Sequence, residues 1–321
     1  MNKIITVKKI EVGERIDSFL AKKMPEFSRS HYASMLKSAA ILVNNTEEKS
    51  SYKIKENDQI KITISDQKNS EILPENIKLD IVYENENVIV INKQPGIVVH
   101  PATGNPKGTL VNALLAYYPE IKNAVIEKGN ALSESRPGVV HRLDQDTSGV
   151  MIFAKNLETM HFLSKQIKDR KIEKTYLALC YGWPKKDHDQ VVSYLGRHPK
   201  NRKMMTDVGE SKGKKAVSNY KVSQYFSINK DKASLIEFNI QTGRTHQIRT
   251  QAKALGFPVI GDLIYNSKDS VRLSKGLGAK RQLLHSYKLV ITLPNNDKPS
   301  EFIAPIHPDL ESIRHKLHLD Y

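Results

Sequence analysis

Six strand-like apolar runs, DIVY, NVIVIN, GVMIFAKN, TYLALCYG, ASLIEFNI and HSYKLVITL, lie between Asp80 and Leu293 and limit the fold more than any other feature. Only a few helical stretches are interleaved with them, notably Thr109–Tyr117 and Thr245–Leu255. Strands regularly alternating with helices would build a parallel sheet; this pattern instead predicts an α+β domain with a mixed, largely antiparallel sheet. That domain is expected to span residues 79–321.

Ahead of it, residues 1–65 read as a separate small unit. Arg15–Met24 places Ile16, Phe19, Leu20 and Met24 on one helical face. Ser28 is positioned to cap a second helix that turns Tyr32, Met35 and Leu36 inward. Two short strands follow, ILVNN and the alternating QIKITI, the latter after the turn-like KEND. Arg15, Arg29 and Lys37 are expected on the outside, where they can grip phosphates. Polar residues in DQKNSEILPE break the pattern, so 66–78 reads as a linker.

Charge narrows the partners. The chain has 50 Lys+Arg against 35 Asp+Glu, a net +15, and such a charge attracts polyanions. Between Lys155 and Lys215 there are 15 basic and 7 acidic residues, so 15 − 7 = 8 of that excess is concentrated there. A local patch is a better nucleic-acid signal than a total. Cys180 is the lone cysteine, which excludes an internal disulfide and a CxxC metal knuckle; its apolar setting predicts core packing. No stretch approaches the roughly 20 apolar residues of a membrane span, and MNKIITVKKIEVGERID mixes charge signs where a signal peptide is apolar. A cytoplasmic protein without a membrane association is expected.

Two segments carry chemistry. RPGVVHRLDQDTSGVMIFAKN places His141, Arg142, Asp144, Asp146, Thr147 and Ser148 in a loop entering an apolar strand. Such polar groups either face a cleft or hydrogen-bond a turn. In SLIEFNIQTGRTHQIRTQAKALG a strand runs into Thr242-Gly243 and then a helix, gathering Arg244, His246 and Arg249 at one mouth of the fold. His141, Asp144, Asp146 and His246 could be imagined as metal ligands, but no HExxH or paired-His helix supports this, so no metal is expected. Ser148 lies in DTSG without a G-x-S-x-G elbow, against a serine hydrolase.

HRLDQDTSG resembles the HRLD signature of RluA/RluD-type RNA pseudouridine synthases, and QTGRTHQIR resembles that family's later arginine motif. NKQPGIVVHPATGNPKGTLVNALLAYYP, EKTYLALCYG and GRHPKNRKMM resemble further blocks in the family order. SRSHYASMLKSAAILVNN resembles the alpha-L RNA-binding motif of a small-subunit ribosomal protein, with Ala39 and Ala40 where that motif usually has Gly, and Asn57-Asp58 for its Gly-Asp turn. In the larger domain Gln94, Gln145 and Gln251 depart from common family residues without replacing a catalytic group.

The resemblance implies isomerisation of uridine in RNA: the glycosidic C–N bond is cleaved, the base rotates and a ring carbon rejoins ribose, with no cofactor. It implies Asp144 as the essential carboxylate, attacking the ribose or abstracting its proton to give a glycal. Arg244 is expected as its ionic partner. Tyr176 would stack on the uracil and assist proton transfer, although its own setting reads as strand packing. Arg142 would fill the space left by a flipped base. Arg197, Arg202 and Lys203 are expected to touch RNA. The blocks around HPATGNPKGTLVNALL most resemble the RluD branch, implying large-subunit ribosomal RNA or an assembling ribosomal subunit as partner.

Overall fold

The structure, a computed structural model, describes residues 2–25, 27, 29–63, 72–102, 104–125, 136–228 and 230–319. It divides into two compact units, Met1–Leu73 with Lys122–Pro137, and Pro74–Ile121 with Gly138–Tyr321.

The first unit holds β1 (Asn2–Thr6), α1 (Ile16–Lys23), α2 (Arg29–Lys37), β2 (Ile41–Val43), β3 (Thr46–Glu47) and β4 (Gln59–Thr63). Its sheet runs β1-β4-β2-β3, antiparallel at every step. The expected inward residues form its core: Ile16, Phe19, Leu20, Met24, Tyr32 and Leu36 are buried against Ile41, Ile60 and Ile62, with Met35 partly so. Ser28 lies outside the described residues.

The end of α2 shows what Ala39 does. The Ala40 N–H donates to Met35 O (2.9 Å) and the Ala39 N–H to Leu36 O (3.3 Å), a Schellman closure that puts Ala39 at φ +57°. Glycine takes that conformation without the Cβ clash that alanine suffers. Asn57 sits at φ +65° in the second turn, a conformation asparagine tolerates better, and Asp58 braces it by accepting from Lys55 N, Asn44 Nδ2 and Tyr52 Oη at 2.8 to 3.0 Å.

The second unit starts at Pro74, ahead of Leu79, and Glu75 is already anchored: its N–H donates to Asn112 O (3.0 Å) and its carboxylate accepts from Gly108 N (2.9 Å). A ten-stranded sheet organises the unit. In chain order its strands are β5 (Ile81–Glu84), β6 (Val88–Lys93), β7 (Ser148–Ala154), β8 (Glu173–Tyr181), β9 (His188–Arg197), β10 (Met205–Asp207), β11 (Lys214–Ile228), β12 (Asp231–Ile240), β13 (Leu284–Thr292) and β14 (Pro299–Ile303). Spatially they run β10-β9-β11-β12-β8-β13-β7-β6-β5, with β14 on β13. Only β13 with β7 is parallel, so the sheet is mixed and largely antiparallel, as its sequence pattern predicts.

Alternation along β8 separates the two faces. Tyr176, Ala178 and Cys180 join Phe153, Phe238, Leu114, Ile248 and Ala252 in one cluster, covered by α3 (Leu110–Tyr117) and α6 (Gln247–Ala254). Leu177 and Leu179 face the other way, toward α7 (Lys268–Leu277) and α8 (Pro308–Leu319). The short α4 (Ile121–Ala124) follows α3, and Leu163 of α5 (Leu157–Lys168) packs with Val88, Val150 and Leu289. Cys180 is fully buried and burial pushes its thiol up, consistent with packing rather than reactivity.

Candidate active site

The loop from His141 to Thr147 is held at several backbone points. Lys93, the last residue of β6 and 1% exposed, donates from Nζ to the carbonyls of Gln94 (2.8 Å), Gln145 (2.7 Å) and Thr147 (3.0 Å). Burial pushes its ammonium down to about 7, while one carbonyl for each N–H favours the charged form. Arg281, just before β13, donates to Asp146 O (2.9 Å) and Ser148 Oγ (3.1 Å), and is itself clamped bidentately by Asp309 at 2.7 Å on each side. A turn closes between Thr147 N and Asp144 O (3.1 Å). The chain then leaves through Gly149 at φ +115°, where a Cβ would overlap the Ser286 backbone. With its backbone fixed at these points, Asp144 presents its side chain to a cleft.

The far wall comes from α6. Its first residue, Gln247, is buried and makes four hydrogen bonds: Oε1 accepts from Thr242 Oγ1 (2.8 Å) and Arg244 N (3.1 Å), while Nε2 donates to Val217 O (3.1 Å) and Ser218 Oγ (2.8 Å). One turn on, Gln251 accepts from Ser218 Oγ (2.7 Å) and donates to Ser193 Oγ (2.9 Å). This departure from the family pattern therefore has a structural role, fastening α6 to β9 and β11. His246 caps the helix at φ +54°, a conformation uncommon for a residue with a Cβ.

That placement drives Arg249 inward. Its Nη1 donates to Asp144 Oδ2 (3.0 Å), and its Nε and Nη2 take both oxygens of Asp262 at 2.6 and 3.0 Å. Burial alone would lower its pKa, but Asp262 and Asp144 overcome this and hold the guanidinium well above its usual value. The Asp262, Arg249 and Asp144 side chains are 0%, 5% and 17% exposed, so charge increases in accessibility toward the cleft. The ring of Tyr265 lies 5.2 Å from the guanidinium carbon. Its hydroxyl accepts from Met205 N (2.6 Å) and meets His246 Nδ1 at 2.9 Å. Burial lowers the His246 pKa, leaving a neutral ring whose Nε2 stands 3.9 Å from Asp144.

Arg244 is therefore not the ionic partner of Asp144; Arg249 is. Arg244 precedes the helix, stays exposed and donates Nε to Lys215 O (3.1 Å), whereas Arg249 lies on the buried face, where a charge survives only when paired. Both line the cleft with Arg142, Asp144, Tyr176 and His246. Burial pushes the Tyr176 phenol up to about 12; the Asp144 carboxylate adds to this and a hydrogen bond with Ser286 draws it partway back. Opposite Tyr176, β13 carries a bulge at Tyr287.

The two rival chemistries lose their residues. His141 Nε2 accepts from Ile152 N (3.1 Å), and burial pushes that ring down to about 3. Among the described residues no three of His, Cys, Asp or Glu are grouped to hold a metal. Ser148 is fully buried against His285 Nδ1 (2.9 Å), but the other ring nitrogen faces Ala304 O (3.3 Å) rather than a carboxylate.

The peripheral cations differ among themselves. Arg15 and Arg29 are exposed, as expected, and both pair with Asp17, at 2.8 and 3.2 Å. Lys37 is exposed. Arg197 donates Nη1 to Arg202 O (2.6 Å), shaping a hairpin from which Arg202 and Lys203 project into solvent.

Comparisons with known proteins identify the family. Residues 87–254 match the RNA pseudouridylate synthase family and residues 14–60 the S4 domain. The chain is 38% identical to "Ribosomal large subunit pseudouridine synthase D" of Neisseria meningitidis serogroup A, over 96% of this chain and 80% of that one. It is 35% identical to "Uncharacterized RNA pseudouridine synthase YlyB" of Bacillus subtilis, over 98% and 97% of the two chains. Among solved structures, "Human RNA Pseudouridylate Synthase Domain Containing 1" aligns with a TM-score of 0.57 at 25% identity, covering 74% of this chain and 87% of that one. With matches spanning both of its halves, this chain belongs to the RNA pseudouridylate synthase family, as an RNA pseudouridine synthase that carries an S4 domain.

Proposed function

We propose that the chain isomerises uridines of bacterial large-subunit (23S) ribosomal RNA in the cytoplasm, with Asp144 as the catalytic carboxylate. The observation that carries this reading is the sharing of Arg249 between Asp262 and Asp144. With Asp262 held bidentately, a remaining guanidinium N–H donates to Asp144 and orients it. Asp144 attacks the ribose C1′ as the C–N bond breaks, or removes a ribose proton to give a glycal. The base rotates, a ring carbon bonds to C1′ as the Asp144 ester breaks or the ribose proton is returned, and the proton lost from that ring carbon is balanced by one gained at the freed ring nitrogen. Tyr176 lies against the uracil, its protonated phenol within the same cleft.

The cleft encloses only about 80 Å³, against roughly 300 Å³ or more in a typical ligand pocket. A flipped uridine must displace side chains at its mouth, and the exposed Arg142 is suited to move and then occupy the gap in the RNA helix. The S4 domain and the Arg197, Arg202 and Lys203 hairpin add phosphate contacts that suit a large folded RNA. The target class follows from the Neisseria relative's name.

Pseudouridine mapping of total RNA from cells with and without the gene tests the whole reading. Loss of one or more sites in large-subunit RNA, restored by the native chain and not by Asp144→Asn, is expected. Loss confined to transfer RNA or small-subunit RNA overturns the target.

A further inference from the structure

One cation beside the cleft has no part in the chemistry so far. Lys174 lies two residues before Tyr176 on β8 and therefore on the same sheet face. It is only 8% exposed. Its Nζ reaches to 3.6 Å from where a Cβ on Gly243 would sit, and Gly243 lines the cleft. The adjacent acidic residues cannot neutralise it: Glu173 is its neighbour along the strand and Glu237 pairs with Leu177, so both belong to the opposite face. Burial, with Arg244 next in effect, pushes the ammonium down to about 8, and among the described residues no carboxylate offsets either influence.

A buried lysine without a counter-ion beside an arginine is costly unless an anion arrives. Arg244 is already arranged to share one. Its Nε is tied to Lys215 O, which fixes the guanidinium plane while leaving both Nη groups for a ligand. Asp144 and Asp262 do not supply that anion, because both are engaged by Arg249.

We propose that Lys174 and Arg244 form a phosphate clamp at the cleft mouth, holding a phosphodiester that flanks the uridine being isomerised. This rests on the reading of the Asp144 cleft as the uridine site. Lys174 is a positioning residue here: by fixing the backbone on one side of the ribose, it sets the approach of the sugar to Asp144.

The test uses the full chain and a stem-loop RNA taken around a mapped target uridine, synthesised with a neutral methylphosphonate at either flanking linkage. Binding is measured on an Asp144→Asn background, so that turnover does not intervene. One of the two substitutions is expected to weaken binding about tenfold, as loss of a charge-assisted contact would. In Lys174→Met the same substitution should cost less than about twofold, and Lys174→Arg should restore the phosphate dependence. Penalties that multiply independently, or no penalty at either linkage, overturn the clamp. Should Lys174→Met not fold, the exposed Arg244→Gln variant gives the same comparison. Failure of the Asp144 reading would appear separately, as pseudouridine formation by Asp144→Asn.

Discussion

The Asp144 cleft and the hairpin from Arg197 to Met205 use their charges in opposite ways. In the cleft, Arg249 is 5% exposed and is fixed by three hydrogen bonds to Asp262 and Asp144 beside the ring of Tyr265. In the hairpin, Arg197 shapes the backbone while Arg202 and Lys203 stand in solvent. Buried, saturated charges are positioned to a fraction of an ångström and act on one reacting centre; exposed ones supply a field that any stretch of phosphate backbone satisfies. Substitutions in the first region should consequently damage turnover, and in the second affinity.

The sharpest break in that comparison is Asp144→Asn, expected to lower kcat by at least about 10⁴-fold while RNA affinity stays within about twofold. Measurable multiple turnover would remove Asp144 from the chemistry. Arg249→Ala comes next. It strands the buried Asp262 without a counter-ion, leaving it only the Ile264 and Tyr265 N–H groups, which should cost about 3–5 kcal/mol of stability, read as a fall in the denaturation midpoint. Arg244→Ala should leave that midpoint nearly unchanged, and equal losses from both would erase the distinction between them. Lys93→Met removes the ammonium that holds the Gln145 and Thr147 carbonyls of the Asp144 loop, so kcat should fall on the order of 10²-fold with little change in affinity. For the pair Arg202→Ala and Lys203→Ala the expected signature is reversed: kcat is kept and the slope of log affinity against log salt shrinks by about 1.4. Outside both regions, Ala39→Gly should stabilise the S4 domain by about 1 kcal/mol, because the α2 closure imposes a left-handed conformation there; chemical denaturation with no gain would show that the strain is relieved elsewhere.

Legibility in the sequence followed contact range. The loop around Asp144 was readable because its polar residues are consecutive and end at an apolar strand, and Thr109 announced α3 by its capping position. Arg249 could be placed at the mouth of the fold, but its carboxylate is 105 positions away, and no local pattern separates it from Arg244. Asp262 and Lys93 were missed for the same reason: one sits in an unremarkable loop, the other closes a strand, and only tertiary packing gives either its partners. The strands β9 and β11 escaped because much of their surface is exposed and charged, so the apolar alternation that marks a strand is weak. Helices α5, α7 and α8 were not picked out by sequence, although Asn156 and Ser267 cap the first two.

The pairing of Arg249 with two carboxylates also makes the cleft electrically polarised. Asp262, Arg249 and Asp144 together carry one net negative charge at the least exposed part of the site, while Arg142 and Arg244, exposed on the same cleft, are positive. A phosphate is repelled from the floor and attracted to the rim, whereas an uncharged ribose and uracil meet no such barrier. Under the function proposed for this cleft, such a field would turn the backbone of an incoming nucleotide outward before any contact specific to its base has formed.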